Sequence, residues 1–513
     1  MQSTYKKTTV HAPVYAECAA EYTLPDYQGD IKRVLSSEAR ILPAGKFMNG
    51  DEVQLAGCVA YEILYADTEG RLTSAQFSSE YEICVPVGAN AEDATAKMSV
   101  SALSVRLSGP RRMTVKGHVC AQVCSFGLED VQSAGDALDG AVEAQVLRQT
   151  VPVRYTVYAE DVERTYTDAV AVSECAQEHV QLLTQGAEVY VKDIAAEDGA
   201  VTFAAEACMY ALVHTEEGSV RCLRRTVSTE ERIEVEGMRA TMKPTVCVSS
   251  VSVHAVSETD TDGAEAVRLH ARVTYGVRAE DNAPLTVITD GYLCCENTEN
   301  TYADLAYEEH METKTVVVSA DGETALSDVG CDAMREIVYT AAAVKNLRVQ
   351  VGEDGRLHTE AELQVHAIGL GDDTSCDGGL CPIKASLPLS GIELTGAAYP
   401  ADAVVEIGGV SVRAGGVIDG DRILWHGECA VSVHVCGARS CRYLVSMERC
   451  GQSAAQRDGA VVTVYYPSVG ETLWDIARAH HTTVEALAAD NALESVSCMT
   501  EAATLPIRPL LIL

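Results

Sequence analysis

One alternating pattern of apolar and polar residues recurs three times at a fixed interval, and it narrows sharply what the chain can become. Val115, Val119, Ala121 and Val123 alternate with Thr114, Lys116, His118 and Gln122. Leu269, Ala271, Val273, Tyr275 and Val277 alternate with Arg268, His270, Arg272 and Thr274. Ile423, Trp425, Cys429, Val431, Val433 and Val435 stand against His426, Glu428, Ser432 and His434. From Val115 to Leu269 and from Leu269 to Ile423 the step is 154 residues each time. A period of two sends successive side chains to opposite faces of a strand, so each segment reads as a strand with one buried face. Recurrence at so long a spacing indicates repeated units.

A second alternating segment precedes each of these. It is carried by Val53, Leu55, Gly57, Val59, Tyr61, Ile63 and Tyr65, interleaved with Gln54, Ala56, Cys58, Ala60, Glu62 and Leu64. It returns as Val201, Phe203, Ala205, Ala207, Met209, Ala211 and Val213, and again as Leu357, Ala361, Leu363, Val365 and Ala367. A turn-rich link follows each copy: Asp67-Thr68-Glu69-Gly70-Arg71, Thr215-Glu216-Glu217-Gly218-Ser219 and Gly371-Asp372-Asp373-Thr374, as hairpin connections require. Long amphipathic helical patterns are scarce, so the chain is predicted to be mainly β, each unit an antiparallel β sandwich or split barrel. Apolar spacing over Asp136 to Leu147 suits a helix instead, and residues 370–382, rich in Gly, Asp and Cys, read as a mobile loop. Turn-forming and charged stretches place boundaries near 145, 305 and 455. The predicted units are 1–145, 146–305 and 306–455, followed by a small module at 456–513.

With 513 residues and 47% hydrophobic content, several cores can be buried. The net charge of -36 repels phosphate backbones and anionic lipid, so neither nucleic acid nor direct membrane insertion is expected; basic surfaces suit it better, although acidity also serves solubility. Lys6 and Lys7 are not followed by the apolar run of about 7 to 15 residues that a secretory signal needs. No stretch of about 18 uninterrupted apolar residues is present either, so a cytosolic location is expected. Nineteen cysteines, odd in number and irregular in spacing, point to reduced thiols rather than a disulfide framework. Cys120 with Cys124, Cys376 with Cys381, Cys436 with Cys441, and adjacent Cys294-Cys295 all lack the two-residue gap of a zinc knuckle, and no metal site is expected.

At the C-terminal end Val461, Val462, Val464 and Tyr466 read as a strand that Gly470 turns. Thr472 with Asp475 makes a capping box for a helix carrying Leu473, Ile476 and Ala477, and a second box from Thr482 to Glu485 opens a helix carrying Val484, Leu487 and Ala488. Leu505 to Leu513 can return as a second strand, completing a βααβ unit. The run from Val464 to Ala477 resembles a LysM module, departing from that family where Leu505-Pro506-Ile507-Arg508-Pro509-Leu510 replaces its usual closing motif. The resemblance implies a site for N-acetylglucosamine polymers where the first helix begins and the second ends, at Gly470, Glu471, Thr472, Leu473 and Asn491. Leu473 is equally suited to the core, and Trp474 is open to packing or to ligand contact, because so small a module is short of apolar burial.

Leu24-Pro25, Arg33-Val34-Leu35, the strand Gly57 to Tyr65 and Arg111 to Val115 extend the resemblance along the chain. Together with the terminal module, they resemble the spore-coat morphogenetic proteins of the SipL type, which join SPOCS β domains to a LysM. That resemblance implies that the LysM docks onto stage IV sporulation protein A, an ATPase that polymerises around the forespore, while the repeats contact other coat proteins. No cofactor is implied. The sequence has neither Gly-x-x-x-x-Gly-Lys-Ser/Thr nor His-Glu-x-x-His, and its thirteen histidines are scattered. His118, His270, His426 and His434 fall on the polar sides of predicted strands, where solvation is expected. The sequence therefore points to a non-catalytic adaptor in the mother cell at the forespore surface, with no catalytic residues. A peptidoglycan-binding protein of wall or cortex is the alternative.

Overall fold

The computed structural model describes the chain except for residues 1, 43–44, 133, 135–143, 172–179, 215–219, 260–264, 295, 332, 372–378, 394–397, 454–461, 469, 494–509 and 513. The first stretch folds into β1 (Gln2–Val10), β2 (Val14–Thr23), β3 (Ile31–Ile41), β4 (Gly45–Asn49), β5 (Glu52–Asp67), β6 (Leu72–Pro86), β7 (Ala91–Gly109) and β8 (Arg112–Gln132). β8 is the hub of one sheet, pairing with β1, β2 and β7, and β5 is the hub of the other, pairing with β3, β4 and β6. Both hubs are the alternating segments of the sequence, because a strand apolar on one side can pair on both edges while burying that side. Their inward residues meet in one core that includes Val59, Tyr61 and Ile63 from β5 with Met113, Val115 and Val119 from β8.

Two further pairs of sheets follow, each sheet three-stranded where those of the first stretch are four-stranded. β9 (Ala144–Ala171), β10 (Gln181–Glu197), β11 (Ala200–His214), β12 (Val220–Glu234), β13 (Thr245–Thr259) and β14 (Glu265–Leu293) form the sheets β10-β11-β12 and β13-β14-β9. β15 (Glu296–Ala325), β16 (Met334–Val351), β17 (Leu357–Gly371), β18 (Leu380–Ile392), β19 (Ala403–Asp419) and β20 (Arg422–Ser453) form β16-β17-β18 and β15-β20-β19. Phe203 of β11 meets Tyr275 of β14 edge-to-face at 5.0 Å in one core. Leu363 and Val365 of β17 face Ile423 and Trp425 of β20 in the other. Trp425 closes against bare backbone: a Cβ on Gly416 would lie 2.5 Å from its ring. All strand pairs among the described residues are antiparallel.

Two features tie the three sheet pairs together. Leu64, Leu212 and Ile368, one from each hub strand, meet in a shared buried cluster with Tyr210 and Tyr339. The paired strands β9/β14 and β15/β20 also run on well past their own cores. There Val151, Val153, Leu285 and Val287 pack with Tyr5 and Val131 of the first unit and Cys441 of the third. The boundary read near 305 falls inside β15, and that near 145 at the start of β9.

Several expectations need correction. Ala144 to Leu147 are strand, not helix, and residues 136–143 of that segment are outside the described residues. Of the loop read at 370–382, Leu370 and Gly371 end β17 and Leu380 to Pro382 begin β18, and residues 372–378 are outside the described set. Fourteen described cysteines are free thiols, but Cys381 is disulfide-bonded. His118 and His426 are exposed and His270 half-buried, whereas His434 is fully buried. The outward face of β20 at His434 is covered by β13 and β14 of the second unit, a packing that strand periodicity alone does not reveal. No helix among the described residues is long and apolar enough to cross a membrane.

Candidate functional site

The C-terminal module is a βααβ unit: β21 (Thr463–Tyr465), α1 (Leu473–Ala479), α2 (Val484–Asp490) and β22 (Leu510–Ile512), with β21 paired to β22. Both helices start where hydroxyl side chains meet free backbone N–H groups. The Thr472 hydroxyl accepts from the Asp475 N–H at 3.2 Å, and the Asp475 carboxylate accepts from the Thr472 N–H at 3.0 Å, which is a capping box. The second cap is Thr483, one residue later than the predicted Thr482, accepting from the Ala486 N–H at 3.0 Å. Leu473, Trp474, Ile476, Ala477, Val484, Leu487, Ala488 and Ile512 are buried.

The six residues read as a binding edge divide into two groups. Gly470 is exposed in a turn at φ +87°, a conformation that suits glycine, with nothing within 4 Å of where a Cβ would stand. Glu471 is held beside it, accepting from the Tyr465 hydroxyl at 2.6 Å and the Ser468 N–H at 2.9 Å. Thr472 is the α1 cap, and Asn491 donates to the Leu487 carbonyl at 2.8 Å where α2 ends. Leu473 and Trp474 belong to the core instead.

Trp474 does more than fill the module. Its indole N–H donates to Asp290 Oδ2 at 2.9 Å, and Arg478 pairs with the same oxygen at 2.7 Å. Tyr292 lies edge-on to the Trp474 ring, with centroids 4.9 Å apart, and its hydroxyl donates to the Thr482 carbonyl at 2.8 Å. The opposite Asp290 oxygen accepts from Tyr302 at 2.7 Å and Asn300 at 3.3 Å. Asp290 follows a register shift in the β9/β14 pairing, and its neighbours Leu147 and Cys294 pack against the module. The module is thus seated on the outer end of the second unit's long strand pair. Sequence reading missed Asp290 and Tyr292, since nothing in the alternation of β14 marks its last turn of strand as a docking point.

A second polar constellation lies where the second and third units meet. The Arg154 guanidinium, 3% exposed, reaches Glu280 at 2.6 and 2.9 Å, Glu308 at 2.7 Å and also Glu406. Arg278 bonds Glu406 at 2.6 Å and also Glu280. Burial opposes ionisation of Glu280, but the facing His434, Arg278 and Arg154 hold its carboxyl well below the usual range. Burial, and then the two guanidiniums, drive the His434 imidazole down to about 4 despite the facing carboxylates. Ligand atoms of Glu280, His310 and His434 lie within 4.8 Å of one another. Yet both imidazoles already share the Thr313 hydroxyl, at 2.9 and 2.8 Å, and Glu280 is committed to two guanidiniums. A divalent cation there would sit against two fixed positive charges, so the set acts as a buried polar lock between units.

Residues 469–497 match the LysM domain family. No curated protein and no solved structure matches the chain. A LysM domain near the C-terminus, seated on a mainly β body, is therefore the family-level result.

Proposed function

We propose that the chain is a non-catalytic adaptor of spore-envelope assembly, in which three SPOCS-like β units carry a LysM module that grips a polypeptide surface. The observation that carries the proposal is the seat of the module. Trp474, equally open in the sequence to packing or to ligand contact, is spent on Asp290 and Tyr292, so the Gly470–Thr472 turn and Asn491 are left as a small, polar binding edge on a fixed base. Such an edge suits docking against a protein of complementary shape. In this reading the partner is the stage IV sporulation protein A-like ATPase at the forespore surface in the mother cell, and the β units contact other coat proteins, so that several weak attachments add up.

The family match supports a second reading, in which the same edge takes a peptidoglycan strand, the ligand class a LysM domain suggests. Full-length chain and its Glu471→Lys variant, each offered insoluble peptidoglycan and the purified ATPase, separate the two. The adaptor reading expects capture by the ATPase, lost in the variant, and none by peptidoglycan. Saturable retention on peptidoglycan with no affinity for the ATPase would transfer the assignment to the second reading.

A further inference from the structure

β3, β10 and β16 each lie at an edge of their sheets, one from each unit, and they converge on a cavity of about 720 Å3 that opens to solvent. Its lining is chemically divided. The first two units contribute Glu38 and Glu188 together with Arg40, and the third contributes Lys345, His366 and Lys384. Arg40 occupies one oxygen of Glu38 at 2.8 Å, but Oε1 of Glu38 and Oε1 of Glu188 are buried without a hydrogen-bond donor among the described residues. A buried carboxylate oxygen left in that state costs free energy that a cationic donor recovers. Burial pushes the Glu188 carboxyl up to about 7, further than the nearby Arg224 and Arg40 guanidiniums and the Ala342 N–H pull it down. On the facing side Lys345 and Lys384 are exposed, and after burial it is Lys384 that most lowers His366, so that wall presents ammonium charge.

The volume lies within the roughly 300–1,000 Å3 of sites that enclose small ligands. Edge strands add backbone donors and acceptors, which an extended peptide satisfies better than most small molecules do. We propose that this cavity binds a short peptide with free termini, its ammonium group held by Glu38 and Glu188 and its carboxylate by Lys345 and Lys384.

The test is calorimetric titration of the full-length chain with trialanine, N-acetyl-trialanine and trialanine amide. Trialanine binds saturably, and blocking either terminus weakens binding at least about tenfold, the loss expected for one charge-assisted contact. Glu188→Gln weakens trialanine while leaving the acetylated form unchanged. Lys384→Ala, at an exposed position that folding tolerates, weakens trialanine and the acetylated form but not the amide. Absence of saturable binding at millimolar trialanine, or equal affinity for the three forms, overturns the proposal and leaves a solvated gap between units.

Discussion

His434 offers the sharpest test of how the units are joined. It is fully buried on β20, with its ring bonded to Thr313 at 2.8 Å and to Thr245 of the second unit at 3.3 Å, and it faces Glu280 and Glu406 beside Arg154 and Arg278. Its pKa falls from 6.5 to about 4 on folding, so below 6.5 the unfolded chain binds the proton that the native state refuses. The contribution of a neutral His434 is thus complete above 6.5 and is lost as pH falls toward 4. Integrating between those limits gives a loss of about 2 kcal/mol by pH 5. The whole-protein profile mixes this with opposite terms, because Glu62 and Glu188, both raised to about 7, gain protons in the native state over the same range. A difference measurement removes them. His434→Gln keeps a polar, uncharged side chain and is expected to be less stable than the parent by ~1–3 kcal/mol at pH 7.5, the cost of imperfectly replaced buried hydrogen bonds. At pH 5 the gap should shrink by about 2 kcal/mol, read by urea unfolding followed by far-UV circular dichroism. A gap that is constant or wider at pH 5 would refute the burial argument.

The other consequences are local. Arg154→Met removes the guanidinium that serves Glu280, Glu308 and Glu406, leaving buried carboxylates short of counter-charge, and should cost about 3–5 kcal/mol in the same urea assay. Asp290→Ala strips the acceptor from Trp474 and Arg478, at a cost of about 1–3 kcal/mol to the seat of the module. Faster proteolytic release of the C-terminal fragment and a red-shifted tryptophan emission are expected, and unchanged cleavage would mean that apolar contacts alone hold it. Thr472→Ala loses the capping box and should weaken the module by about 1 kcal/mol, visible as faster amide exchange in α1 but not in β14.

What the sequence discloses is what period and capping can disclose. The hub strands β5, β8, β11, β14, β17 and β20 were all legible, because each alternates apolar and polar residues over a long run with a single buried face. Both short helices were legible from their threonine caps, one of them a residue early. The errors share a cause. Position 434 continues a polar register, so it reads as solvent-facing; only the arrival of β13 and β14 buries it. Trp474 could be assigned to packing or to contact because its acceptor, Asp290, lies 184 residues away in the chain. Alternation reports that a face is polar, and it is silent on whether water or another unit satisfies that polarity.

That silence bears on how the chain can engage partners. Beads on flexible linkers adapt the spacing of their binding surfaces to a target, at the entropic cost of ordering each linker. Here the units share the Leu64, Leu212 and Ile368 cluster, the Arg154 network spans the second and third, and the module is fastened at Asp290. Their surfaces are presented at fixed separations and orientations. The ordering cost is then met during folding rather than on binding, which favours a partner whose own sites repeat with a matching geometry and penalises one whose sites do not. On the proposed adaptor reading, loosening any one joint should therefore weaken multivalent capture more than it weakens binding to a single site.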